Sequence, residues 1–160
     1  MLTARHLLCA VLLSGALFTN PAAAQSVTGV TKNADISFGT FIAGGGGTVT
    51  IEPSSAGARS STGSVVLPIS GQFPQGNAAS FTVNATDGYN YTIELPATNS
   101  VTLSSGANTM TITSFSSSPS GTLTTSGGVA TLYVGGTLTV GNNQPAGNYT
   151  GSFSVTIVYP

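Results

Sequence analysis

The residues that could carry out chemistry are few and widely spaced after residue 24. The ionisable side chains there, tyrosines apart, are Lys32, Arg59, Asp35, Glu52, Asp87 and Glu94. Paired carboxylates can hydrolyse a glycosidic bond, and clustered carboxylates can bind calcium. These four acids lack the clustered spacing that either site requires, so solvated or turn-capping roles are favoured. Asp87-Gly88 in particular predicts a turn between two strands.

The residue types that most enzymes depend on are missing from the same region. The single Cys and the single His are Cys9 and His6, and Trp is absent. The commonest metal ligands, the thiol nucleophile and the commonest general base are therefore lacking beyond residue 24. We expect no enzymatic activity, no cofactor and no metal site. Two lone cations cannot neutralise a phosphate backbone, so nucleic acid is not expected as a partner.

Residues 1–24 have the pattern of a secretory signal peptide. Arg5 and His6 form a basic start, residues 7–18 are apolar, and residues 22–24 are alanines suited to cleavage. The apolar run of about twelve residues is too short for a membrane helix, which needs roughly twenty. We therefore expect export through the inner membrane and no integral membrane segment.

The remaining residues, 25–160, predict one domain with a nearly uncharged surface. Two positive and four negative side chains give a net charge of about −2. A surface of Ser, Thr, Gly and Asn provides little charge repulsion between molecules, so it tolerates self-association.

Short alternating runs separated by turn-forming residues dominate this region. The candidate strands are residues 36–41, 48–51, 65–69, 81–83, 89–95, 110–112, 132–134 and 138–140. Turn formers lie between them, including residues 43–47, 54–63, 104–108 and 114–120. Turn signals at this spacing predict an all-β sandwich. Pro68 cannot donate to a ladder and predicts an edge strand or bulge over 65–69.

The last residues of the chain, 147–160, predict one long β-strand. Tyr149, Phe153, Val155, Ile157 and Tyr159 share one parity, and mostly Ser and Thr occupy the other. This alternation is typical of a strand with one apolar face. Because nothing in the sequence follows that could cover it, the strand invites a partner strand. The alternative is the inward face of an ordinary closed sandwich.

Several motifs in a fixed order resemble the bacterial domain-of-unknown-function family 4402. They are residues 35–41, 47–51, 91–96, 132–140 and 147–159. The resemblance covers residues 35–160. That family is in turn similar to the spore coat U type pilins of archaic chaperone-usher systems, in which a pair like Phe38-Gly39 follows the amino-terminal extension.

The resemblance implies an immunoglobulin-like antiparallel β-sandwich over residues 35–160, left incomplete by one strand and completed by a donor strand. It implies a structural subunit of a surface pilus or fimbria. A periplasmic chaperone would fill the groove first, and another pilin subunit would replace it at an outer-membrane usher. Carried over by position, the groove residues are Gly147, Phe153, Val155, Ile157 and Tyr159. The expected location is the periplasm in transit and then the cell surface.

Residues 25–34 form the amino-terminal extension to which the resemblance assigns the donor strand. Val27, Gly29 and Thr31 face the groove in one register, which leaves Val30 outside. Gly29 contributes little burial, so this is a weak donor. The chain is then either a subunit that accepts a strand without donating one or a self-sufficient sandwich.

A second function remains open, a monomeric secreted or surface-bound adhesin without catalysis. Its binding surface would be tyrosines that stack on sugars. The candidates are Tyr89, Tyr91, Tyr133 and Tyr149.

Overall fold

The structure, a computed structural model, describes residues 26–69 and 71–158 as strands and turns. The strands are β1 Val27–Ala34, β2 Gly47–Ile51, β3 Arg59–Gly63, β4 Ala79–Ala85, β5 Asn90–Glu94, β6 Val101–Ser105, β7 Asn108–Ser118, β8 Thr122–Thr124, β9 Val129–Val140 and β10 Thr156–Val158. This part of the chain contains no helix long and apolar enough to cross a membrane. The predicted signal peptide, Gln25 and Tyr159 lie outside the described residues.

Strand β9 is the centre of a seven-stranded sheet. β7 runs along one of its edges. β4 pairs with residues 129–134 on the other edge, and β2 pairs with residues 136–140 there. β1, β3 and β6 lie outside β4, β2 and β7 respectively. All these pairings are antiparallel.

A second sheet contains three strands in the order β10, β5 and β8. Its inward side chains form one core cluster with those of β4 and of the first half of β9. The prediction of an all-β antiparallel sandwich is therefore confirmed. Tyr91 lies at the centre of this cluster, fully buried, and its hydroxyl donates to the carbonyl of Thr86 at 3.0 Å.

The other half of the large sheet carries a second core cluster that includes Ile51, Ile112 and Leu138. Among the described residues, no strand ladder covers this half of the sheet. The cover consists of the extended residues 36–43, with Val65 and Leu67 beside them, and of the chain after β9. Phe115 and Phe153 contact both clusters and join the two halves of the core.

Residues 36–41 and 65–69, predicted as strands, form no ladder. Ser37 makes an isolated bridge to Asn77, and Val66 makes one to Ile42, just after the first segment. Gly39, with a φ of 67°, interrupts the first of these segments. Conversely, the predicted turns at 54–63 and 114–120 contain β3 and the end of β7. The Ser and Thr residues of these two segments lie in strands, although their composition is typical of turns.

Residues 132–134 and 138–140, predicted as two strands, belong to one strand, β9, which runs through Gly135-Gly136 without interruption. Both edges of β9 are paired at Gly136, with Ile51 on one side and Phe115 on the other. Pairing on both sides holds the glycines extended despite their low intrinsic strand preference. The turn predicted at Asp87-Gly88 is confirmed.

Candidate strand-binding groove

A groove of about 1430 Å³ lies over the half of the large sheet that lacks a covering sheet. One side is residues 36–43, called here the amino-terminal wall, and the other is residues 143–155, called the carboxyl-terminal wall. The amide of Asn143 donates to the carbonyl of Gly44 at 3.2 Å and connects the two sides at one end. The two walls therefore meet at this end of the groove.

The floor of the groove is apolar and comes from strands β6, β7 and β9. Its side chains are Val101, Leu103, Met110, Ile112 and Leu138. The charged residues that line the groove are Lys32 and Asp35, whose ion pair measures 2.7 Å. Both are well exposed, so this pair contributes little to stability. The floor itself offers no charge and no polar side chain to a ligand.

The carboxyl-terminal wall alternates as its sequence predicted. Phe153, Val155 and Ile157 are half-buried, whereas Ser154 and Thr156 are exposed. Its backbone pairs with β6 at Thr150, which bridges Ser104, and just beyond the wall β10 pairs with β5, where Ile157 lies opposite Ile93. The preceding residues, 151–155, make no backbone hydrogen bond to any described residue. An extended segment with an apolar face and unused backbone groups can pair with a further strand.

The start of this wall is held by a small polar network. The Tyr149 hydroxyl donates to the carbonyl of Pro145 at 2.8 Å. The side-chain amide of Gln144 donates to the Tyr149 hydroxyl at 2.8 Å and to the carbonyl of Thr109 at 3.1 Å. Gly147 belongs to the same bend, and a Cβ there would collide with the Ser105 side chain. This close approach explains why a glycine occupies position 147.

Arg59 of β3 holds the amino-terminal wall. Its guanidinium donates to the carbonyls of Phe38 and Thr40, each at 2.9 Å, and to the Gln75 side-chain oxygen at 3.2 Å. Burial lowers the pKa of this guanidinium below its ordinary value. All three acceptors are neutral oxygens. Arg59 therefore acts as a clamp across an irregular piece of backbone, a role that its position in a predicted turn did not indicate.

We expect Arg59→Met to loosen the amino-terminal wall. Two backbone carbonyls lose their donor, at a cost of roughly 2 to 3 kcal/mol because hydrogen bonds to charged groups are the stronger ones. Both carbonyls accept from Nη1, and the Gln75 side chain accepts from Nη2. Arg59→Lys retains the charge and one nitrogen but loses the second, so its loss of stability should lie between those of the wild type and Arg59→Met. Urea unfolding measures the loss, and amide exchange at residues 37–43 locates it. Equal exchange in the wild type and in Arg59→Met would contradict the clamp.

The Phe38-Gly39 pair is explained by the same contact. A Cβ on Gly39 would lie 2.5 Å from the carbonyl oxygen of Pro74 and 2.6 Å from the Arg59 guanidinium. Its φ of 67° also disfavours any side chain. Phe38 is 7% exposed and packs in the core. Phe38 thus supplies a core side chain, and Gly39 leaves the space that the Arg59 guanidinium occupies.

Gly39→Ala is therefore expected to destabilise the fold by about 2 to 4 kcal/mol, from backbone strain together with overpacking. Gly106→Ala is the matched control, since its φ is 60° but a Cβ there would meet nothing within 4 Å. The control should cost about 1 kcal/mol, from the left-handed conformation alone. Thermal melting compares the two. Equal losses would show that the close approach at Gly39 is unimportant.

The structure places the predicted groove residues as follows. Gly147, Phe153 and Val155 line the groove. Ile157 instead packs against the core cluster that contains Tyr91 of β5. Tyr159 lies outside the described residues. Their recognition by a chaperone or donor strand stays a prediction. The floor residues were not singled out by the sequence, because β6 resembles a loop and the floor comes from three strands.

The predicted extension lies in the large sheet as β1, at the edge of β4. Val27 packs against the core, and Gly29 is half-buried, while Thr31 is exposed. Val30 is 51% exposed. These residues lie away from the groove, and a donor role for them stays a prediction.

The remaining candidate residues do not converge. Within the described ranges, no three side chains of Asp, Glu, His or Cys are close enough to hold a metal. Tyr91 is buried in the core, and Tyr149 is committed to the wall network. Tyr89 lies at the turn before β5, and Tyr133 lies on the large sheet opposite Ser80. The four tyrosines therefore do not form a common surface on which a sugar could stack.

The family described as a domain of unknown function, DUF4402, matches residues 28–159. No curated protein and no solved structure gives a significant match to the chain. The chain belongs to the DUF4402 family.

Proposed function

We propose that this chain, a member of the DUF4402 family, is a structural subunit of a bacterial surface pilus or fimbria and is completed by a strand from another chain. The observation that carries the proposal is the groove, which lies above an apolar floor on the half of the large sheet that has no second sheet over it. A polypeptide strand has the shape and the chemistry of the missing cover.

The groove suits a strand better than a small molecule. Ligand sites usually place a few convergent polar groups among apolar ones. Here the floor is entirely apolar, and the polar groups lie on the walls, as side chains such as Asn143 and Asn148 and as the unpaired backbone amides and carbonyls of residues 151–155. These groups hydrogen-bond an incoming backbone in register, while the floor receives every second side chain.

The free energy gained by burying a strand's apolar side chains in the groove is large for the few residues involved. Four apolar side chains transferred from water to the floor contribute on the order of 6 to 12 kcal/mol, before the entropy cost of ordering the strand. This is comparable to the whole stability of an ordinary domain, about 5 to 15 kcal/mol. A strand bound in this way is expected to dissociate only when the subunit unfolds.

In this proposal the chain is exported and a periplasmic chaperone supplies the covering strand in transit. At an outer-membrane usher a strand of a neighbouring subunit replaces it, and the assembly reaches the cell surface. The near absence of charge in the sequence supports close association between subunits.

The experiment is expression of the full chain with its own secretion machinery, followed by gel analysis of unboiled and boiled envelope fractions in denaturant. We expect multimers that resist denaturant and collapse to one band on boiling. A single band in both samples, with folded monomer in the medium, would contradict the proposal.

A further inference from the structure

Strand β1 is attached to β4 by contacts that depend on its side chains. The Asn33 side-chain amide donates to the Thr82 hydroxyl at 2.9 Å, and the Thr28 hydroxyl donates to the Asn84 carbonyl at 3.1 Å. Just before β1, the amide of Ser26 donates to the Thr86 hydroxyl at 3.1 Å. The outer edge of the sheet is therefore matched to this sequence and is not a generic strand contact.

The register of β1 is matched to β4 as well. In a regular strand Val27 and Val30 would point to opposite faces. An irregularity between Val27 and Gly29 places the two valines opposite Ala85 and Val83, both of which face the core. In this register Val27 packs against the core, whereas Val30 is 51% exposed, so the bulge fits Val27 to β4 without burying Val30.

β1 also helps to build the groove. Its Lys32 lies opposite Phe81 of β4, and both residues line the groove at the end beside Asp35. A copy that released β1 to a neighbour would lose part of its own groove and would uncover the edge of β4. One copy cannot easily donate β1 and keep an intact acceptor site.

We infer that β1 stays in its own sheet and that the groove receives an extended segment of a different subunit. That segment carries apolar side chains at alternate positions and no charge between them, as the uncharged floor requires. The inference rests on the proposed function and specifies its partner: the chain accepts a strand without donating β1.

A disulfide that locks β1 to β4 tests the inference. Thr31 and Thr82 lie directly opposite each other, and the sequence has no cysteine after Cys9. We expect Thr31→Cys/Thr82→Cys, oxidised on export, to enter heat-sensitive multimers as well as the wild type and the Thr31→Cys control do. Exclusion of the oxidised double variant, with entry restored by a reductant, would show that β1 must leave and would overturn the inference.

Peptide binding to the secreted full chain distinguishes failure of the inference about β1 from failure of the proposed function. One probe is a decapeptide that alternates threonine and valine, and the other is the chain's own residues 26–34. We expect the second probe to bind at least about 100-fold more weakly, because a straight register gives it at least two fewer apolar side chains on one face. Equal affinity would overturn the inference and leave the proposed function standing. Binding of neither probe would remove both.

Discussion

Phe153→Asp is expected to leave little folded protein to be recovered. The Phe153 ring contacts both core clusters, and its centroid lies 4.9 Å from that of Phe115. Loss of the ring from this junction costs about 3 kcal/mol, and a carboxylate that cannot remain solvated there adds about 1 to 3 kcal/mol. The sum is a large part of the roughly 5 to 15 kcal/mol that stabilises a domain.

The neighbouring Ser154→Asp is the matched control, since it introduces the same charge on the exposed parity of the same wall. It should leave the amount of subunit unchanged and the urea midpoint nearly so. Envelope yield and urea unfolding of the secreted chain check the pair. Equal loss in both variants would mean that charge, and not the inward position of Phe153, causes the defect.

The parity of the terminal segment was predictable because alternation reports which face is buried, whatever the backbone pairs with. The half-buried Phe153 and Val155 and the exposed Ser154 follow the pattern. The extent of the strand was not predictable. The same residues form a ladder only from Thr156, because β5 supplies a partner edge there. Alternation specifies a face, and a neighbouring strand decides whether hydrogen bonds form.

The sequence pattern did not predict outer strands such as β3, for a related reason. β3, Arg59–Gly63, has no apolar side chain, yet all five of its residues pair with β2. Cross-strand contacts such as the 2.7 Å hydroxyl pair of Thr48 and Thr62 support it in place of burial. Sequence patterns that depend on burial cannot distinguish such a polar edge strand from a loop.

The groove could not be derived from local sequence. Its floor combines Leu103, Met110 and Leu138 from three strands, and its walls come from the two ends of the domain. Arg59, which holds one wall, gave no signal because its acceptors are backbone carbonyls. The floor residues and the Arg59 contacts therefore come from the structure alone.

Leu103→Glu is expected to weaken strand capture about 100-fold while the unoccupied protein remains folded. Leu103 is half-buried on the groove floor, so in the open groove the carboxylate stays hydrated at a cost of about 1 to 2 kcal/mol. A bound strand would trap that carboxylate against apolar side chains. The penalty is on the order of 3 kcal/mol, or about 100-fold in affinity.

Thr102→Glu is its control, because Thr102 is exposed on the opposite face of β6 and does not line the groove. The two variants have the same strand, the same charge and adjacent positions, so they differ in which face of β6 carries the carboxylate. Heat-sensitive multimers should be strongly reduced and binding of the alternating threonine–valine peptide about 100-fold weaker in Leu103→Glu, and both should be retained in Thr102→Glu. If Leu103→Glu is folded and still forms multimers at the wild-type level, subunits are joined by a surface other than this groove.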